Sequence, residues 1–243
     1  MKLLQLNAWG GRLEPQIGDL LQAEQPDILC LQEAISFSDA KSGLFITTET
    51  IQQNYNLAHE AFSPVFSFNY MKGLAKFGNG ILSRYPILKS ETVFTHEAYK
   101  ENFAWKEDGA NMRNFVHATL NINDSPCHVL THHGFWIPDH KNGNHETKRQ
   151  MQILADYIKP LEGPIILTGD FNLIPGSESM NVFDGQLRNL TREYALHTTR
   201  TNLTFKTEAC DYILVNDAVE VKDFYSLDKI ASDHKALVFE FEV

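Results

Sequence analysis

Asn7, Glu33, His132, Asp170 with Asn172, Asp211, and Asp233 with His234 each stand at the end or the start of an apolar run. All are oxygen ligands or imidazoles with no cysteine among them, which is the inventory of a hard cation. Mg²⁺, with Mn²⁺ as its substitute, takes a few carboxylates plus waters and leaves room for a substrate phosphate, whereas zinc would call for more histidine or cysteine at short spacing. Singly, each position has a plainer explanation. Asp and Asn after a strand are common turn formers, and a lone strand histidine is more often a satisfied core or surface residue. Recurrence at six strand mouths is what turns these residues into one candidate site.

The strands that must position them are legible from apolar runs too short for helices. Ile165-Ile166-Leu167-Thr168-Gly169-Asp170-Phe171-Asn172, bounded by Gly163-Pro164, reads as a buried strand on which Asp170 and Asn172 face one way and Phe171 turns back into packing. Residues 2–7 form a first strand ending at Asn7, and 27–33 a second with Glu33 at its mouth. Residues 127–133 end in Thr131-His132-His133, whose two rings point to opposite faces, so at most one looks into a cleft. Asp211 lies near the start of 209–215, and Ser232-Asp233-His234 precedes a last strand at 236–239. Further strands are expected at 55–61, 65–71, 80–83 and 113–121, with Asn79-Gly80 as a turn. Helices are expected around Ile17, Leu20 and Leu21, at 43–53, after the cap Asn144 with Met151, Leu154, Ala155 and Ile158 inward, and at 178–183. Residues 95–111, carrying Phe103 and Trp105, read equally as a substrate-facing loop or as a packed surface excursion.

No linker, repeat or charge block divides the 243 residues, so one domain over 1–243 is expected. A formal net charge of −10 works against a broad electrostatic grip on duplex nucleic acid. Cys30, Cys127 and Cys210 are odd in number and embedded in apolar runs, which fits buried thiols. Neither a signal peptide nor a membrane-spanning stretch is recognisable, and with the thiols this points to the cytoplasm.

Leu6-Asn7, Leu31-Gln32-Glu33, Thr131-His132, Gly169-Asp170-Phe171-Asn172, Asp211-Tyr212 and Ser232-Asp233-His234, in this order, make the chain resemble the endonuclease/exonuclease/phosphatase superfamily over nearly its whole length. The resemblance implies an α/β fold of DNase I-like type, a four-layered α/β sandwich of two packed β-sheets flanked by helices, with one metal-dependent phosphoester hydrolase site. It further implies that Glu33 binds Mg²⁺ with Asn7 and Asp233 assisting, that Asp170 orients or deprotonates the attacking water, and that Asn172 holds that water or a phosphate oxygen. His234 would stabilise the phosphorane or act as base, Asp211 would fix its tautomer, and His132 would donate to a non-bridging oxygen. Members acting on inositol phosphates or phosphotyrosyl-DNA links carry an arginine where this chain has Ile174. The expected activity is therefore a phosphodiesterase on a small or single-stranded nucleic-acid substrate, held locally by donors such as Arg113 or Lys106. A sphingomyelinase-like lipid phosphodiesterase, to which Leu6-Asn7-Ala8-Trp9-Gly10 is similar, and a phosphomonoesterase are the alternatives. A silent binding module of the same fold is disfavoured because every acid and histidine of the pattern is kept.

Overall fold

The computed structural model describes residues 1–37, 45–71, 73–104 and 111–243. In chain order the elements are β1 (Lys2–Asn7), α1 (Glu14–Glu24), β2 (Ile28–Phe37), α2 (Thr48–Asn54), β3 (His59–Tyr70), β4 (Gly73–Ser83), β5 (Ile87–His96), β6 (Arg113–Ile122) and β7 (Ser125–His133). They continue with α3 (His145–Ile158), β8 (Ile165–Asp170), β9 (Arg188–Asn189), α4 (Leu190–Glu193), β10 (Asp211–Val215), β11 (Glu220–Ser226) and β12 (Leu237–Glu242). The strands build two six-stranded mixed sheets, ordered β11-β12-β1-β2-β4-β3 and β5-β6-β7-β8-β10-β9.

Alternation along the strands sorts the apolar residues into three packed layers, which makes the four-layered α/β sandwich. Leu3, Cys30, Ile81 and Phe239 of one sheet meet Val116, Val129, Ile166 and Ile213 of the other between the sheets. On the outer face of the first sheet, Leu4, Leu6, Leu29 and Leu31 pack against Ile17, Leu20 and Leu21 of α1 and Ile51 of α2. On the outer face of the second, Leu130, Leu167 and Leu214 receive Met151, Leu154, Ala155 and Ile158 of α3. Helix α3 starts as its sequence dictates, with the Asn144 side chain accepting from Thr147 N in a capping box. All three cysteines are buried free thiols. Among the described residues no helix is long and apolar enough to cross a membrane.

Several local expectations are overridden by the sheets. Residues 55–61 and 65–71 are not two strands, since 59–70 form the single strand β3, bent by a register shift between Pro64 and Phe66. Asn79-Gly80 is not a turn but the buried middle of β4, where the Asn79 amide donates to Asn114 O across the sandwich at 3.0 Å. Cross-strand pairing outweighs the turn preference of that dipeptide. The helix expected over 43–53 begins only at Thr48, capped by Thr47, and 43–44 lie outside the described residues. Residues 178–183 form a 3₁₀ helix. Strands β5 and β11 are additions, half-exposed edge strands whose mixed polarity gives little signal.

Candidate active site

A polar layer replaces the apolar one where the sheets approach the C-terminal ends of β1 and β8. Gln5 Nε2 donates to Gln32 Oε1 at 2.6 Å and to Asp211 Oδ1 at 3.3 Å, and Gln32 Nε2 donates to Thr131 Oγ1 at 2.7 Å. This hydrogen-bonded floor ties four strands together, β1, β2, β7 and β10.

Above the floor opens a cleft of about 300 Å³ lined by Glu33, Asp170, Asn172, Asp233 and His234 together with His133 and Arg200. Glu33 does not end its strand as expected, because β2 runs on to Phe37. A register shift between Leu31 and Ala34, with Glu33 at φ 52°, aims its side chain into the cleft beside that of Gln32, where plain alternation would have sent the two to opposite faces. Asn7 Nδ2 donates to Glu33 Oε1 at 3.2 Å and to Asp170 Oδ2 at 3.1 Å, so two carboxylates converge on one amide. The Asn7 side-chain Oδ1 accepts from Trp9 N at 3.0 Å.

Electrostatics separate the two acids. Burial pushes the Glu33 carboxyl above its ordinary pKa, and the charges of Asp170 and Asp233 add to the shift against the opposing Asn7 hydrogen bond and His234. Burial acts the same way on Asp170, but His234, Arg200, His133 and Lys141 outweigh it and hold that carboxyl well below the usual range. Asp170 therefore stays ionised and is a weak base. Its Oδ1 accepts from Asn172 N at 2.9 Å. Asn172, at φ 55°, is clamped in turn: Lys141 Nζ donates to its Oδ1 at 2.5 Å, and its Nδ2 donates to Gly134 O at 3.2 Å.

His234 Nδ1 lies 3.0 and 2.8 Å from the two oxygens of Asp211, whose carboxylate is wholly buried and also accepts from Thr199 Oγ1 at 2.5 Å. The expected pairing of Asp211 with His234 is thus in place, and it sets the proton on Nδ1. Burial disfavours charge on this ring, but Asp211 and Asp170 more than offset it and raise its pKa. Nε2 faces Asp170 Oδ2 at 3.5 Å and receives the Arg200 guanidinium.

The histidine of β7 is not the expected one. His132 is fully buried outside the cleft, with Nδ1 on Asn114 O at 3.1 Å and its ring 5.6 Å from that of Phe171. Register explains the exchange: His133, not His132, lies opposite Asp170 on β8. His133 Nε2 stands 3.9 Å from Glu33 Oε1 and 3.8 Å from Asp170 Oδ2, and burial keeps the ring neutral by lowering its pKa well below the ordinary value. Phe103 likewise does not reach the mouth. It is buried and stacked on Phe66 at 4.2 Å, while Trp105 and Lys106 lie outside the described residues. Arg113 lines the cleft as expected, donating through Nε to Gly134 O at 2.6 Å. The aromatic rim is made instead by Trp9, with Arg12 5.0 Å from its ring, and Trp136, with Lys206 at 5.5 Å, and the wall by Val65, Phe66, Phe77 and Met112.

Gly169 lets β7 and β8 approach this closely. At φ 146° a Cβ there would sit 2.0 Å from His132 O. Gly169→Ala is expected to cost about 3 kcal/mol through backbone displacement. Urea denaturation checks it, and a loss under about 0.5 kcal/mol, ordinary for a surface change, would show that the strands have slack.

Asp170, Cys210 and His234 bring three ligand atoms within 4.8 Å of one another, all buried. Burial pushes the Cys210 thiol well above its ordinary pKa, so it stays protonated, and Arg200 already covers His234 Nε2. Glu33, Asp170, Asn7 and Asp233 form the harder, oxygen-rich alternative.

No curated protein matches the chain. Its fold is similar to that of an endonuclease/exonuclease/phosphatase from Beutenbergia cavernae DSM 12333, with TM-score 0.72 and 18% identity over 100% of this chain and 71% of that one. It is also similar to the human Nocturnin catalytic domain with bound sulfate, with TM-score 0.71 and 19% identity over 100% and 94% of the two chains. A mannosyl-6-phosphatase of Bacteroides thetaiotaomicron aligns over 100% of both chains with TM-score 0.69 and 18% identity. The model of the endonuclease/exonuclease/phosphatase family matches residues 4–234, and the chain belongs to this family of phosphoester hydrolases.

Proposed function

We propose that this cleft hydrolyses a phosphodiester with the help of a divalent cation, Mg²⁺ or Mn²⁺, and that the substrate is small or single-stranded. The observation that carries the reading is the convergence of Glu33 and Asp170 on the Asn7 amide beside the buried Asp211–His234 pair. Two carboxylates served by one neutral donor, one of them with a raised pKa, fit a cation held by Glu33 with Asp170, Asn7 and Asp233 around it. Such a cation, when bound, would polarise the phosphoryl group and offset charge on its oxygens. The protein's own groups do the rest. Asp170, ionised and a weak base, orients the attacking water, with Asn172 holding the carboxylate in position through its backbone N–H. His133 takes the place first assigned to His132, facing phosphate oxygens from β7. His234, its Nδ1 proton fixed on Asp211, presents Nε2 to the reacting phosphate, where it takes up a proton and, as imidazolium, stabilises the charge that develops.

Substrate breadth follows from size and charge. A cleft of about 300 Å³ with Trp9 and Trp136 on its rim suits one or two nucleotide units stacked on aromatic faces. With the net charge of −10, binding depends little on a long phosphate track. A screen with Mg²⁺ over bis-nitrophenyl phosphate, sugar and nitrophenyl monoesters, short single-stranded RNA and DNA, duplex DNA and choline phospholipid tests this. Turnover of the simple diester and of short single strands should exceed that of the rest. Preferred turnover of monoesters, of lipid or of long duplex with a steep salt slope would replace it.

A further inference from the structure

Arg200 stands in the polar half of the cleft and belongs to none of the motifs that drew attention in the sequence. Its segment is zipped onto the strand mouth that carries Asp233 and His234. Arg200 and His234 form an isolated bridge, Thr201 N donates to Asp233 O at 3.0 Å, and Lys235 N donates to Thr199 O at 2.7 Å. The backbone beneath the arginine is therefore fixed, and only its side chain has freedom.

That side chain is 5% exposed and incompletely partnered. One terminal nitrogen donates to His234 Nε2 and lies 3.5 Å from Asp233 Oδ2, while Nε is buried with no hydrogen-bond partner among the described residues. A guanidinium has five donors in a planar fork, and a buried donor left unmade carries a desolvation cost. Burial opposes the charge, but the anionic groups around it, Asp170, Asp211 and Asp233 among them, hold the pKa above its ordinary value. The residue is thus a fixed cation with spare donors in a cleft read as a phosphate site. Two oxygens of a tetrahedral phosphate match such a fork.

The contact with His234 adds a second consequence. With Nδ1 donating to Asp211, the ring has one lone pair left, on Nε2, and Arg200 occupies it. We propose that Arg200 binds two non-bridging oxygens of the substrate phosphate and, in moving onto them, uncovers Nε2 of His234, so that the histidine is exposed to the reacting group only when an anion is in place. This rests on the phosphoesterase reading of the cleft and deepens it by naming the group that grips the phosphate.

The test is direct binding of inorganic phosphate to Mg²⁺-supplemented protein, which requires no turnover. Calorimetry gives the affinity, and the ¹⁵N shift of the His234 ring reports whether Nε2 has lost its donor. Wild type should bind phosphate with a shift of Nε2. Arg200→Lys should weaken binding about 10- to 100-fold, as expected for one or two lost charge-assisted hydrogen bonds, and Arg200→Ala at least as much. Both variants should show a His234 Nε2 signal that phosphate no longer moves. Added guanidinium ion should restore part of the binding in Arg200→Ala. Unaltered phosphate affinity in Arg200→Lys, or no phosphate binding by wild type, would overturn the assignment. Absence of hydrolysis by a wild type that binds phosphate through Arg200 would count against the phosphoesterase reading alone.

Discussion

Glu33→Gln is expected to lower Mg²⁺-supported hydrolysis by about 10³-fold, beyond the ~10- to 100-fold typical of residues that only brace a metal ligand. The amide keeps the shape of the carboxylate and can still accept from Asn7 Nδ2, so the lost property is charge. Stability should move the other way. A carboxyl whose folded pKa is raised favours the unfolded, ionised chain once pH exceeds the unfolded value, and at neutral pH the half-buried charge of Glu33 costs some stability. In chelator the variant should therefore melt no lower than wild type. Added Mg²⁺ should raise the melting temperature of wild type by mass action and leave that of the variant where it was. Calorimetric scans with and without Mg²⁺ read both effects. A variant that melts far lower in chelator would make Glu33 a structural residue.

His234→Ala and Asp170→Asn should each reduce kcat by about 10²-fold or more with a smaller change in KM, as expected of groups whose interactions strengthen toward the transition state. The two differ in their structural side effects. Removing the His234 ring leaves Asp211 with Thr199 and Gln5 as partners in a site without solvent, so some loss of stability accompanies the loss of rate. Asp170→Asn removes the anion that Lys141, Arg200 and His234 surround, and the protein should lose stability as well. Single-turnover kinetics on folded protein separates the contributions. Raised KM at constant kcat in both variants would relocate the chemistry to other residues.

What the sequence made legible was the set of strand mouths, because a short apolar run that stops at a polar residue looks the same in sequence and in space. Asp170, Asp211, Asp233 and His234 all reach one cleft or the floor beneath it for that reason. Parity and long-range pairing were not legible. Whether His132 or His133 faces the cleft depends on the register of β7 against β8, and nothing within Thr131-His132-His133 encodes it. The motif drew attention to the first ring, and the sheet delivers the second. Glu33 reaches the cleft through a bulge with no glycine to mark it. Gln5 and Gln32 read as ordinary polar residues in an alternating strand until the opposite sheet supplies Thr131 and Asp211 as partners. Arg200 follows a stretch without periodicity and acquires its meaning only from the bridge to His234. Phe103 shows the converse, an aromatic among charges that packs inward because Phe66 offers a ring to stack on.

Whether Glu33 holds a divalent cation at which a phosphate ester is hydrolysed is tested most directly by the rate of bis-nitrophenyl phosphate hydrolysis against Mg²⁺ concentration, starting from chelator-stripped protein. Wild type should show no turnover without metal and a saturable rise as Mg²⁺ is added, and Glu33→Gln should stay near the baseline throughout. Hydrolysis that persists undiminished in excess chelator, or a metal response in Glu33→Gln equal to that of wild type, would contradict a cation held by Glu33.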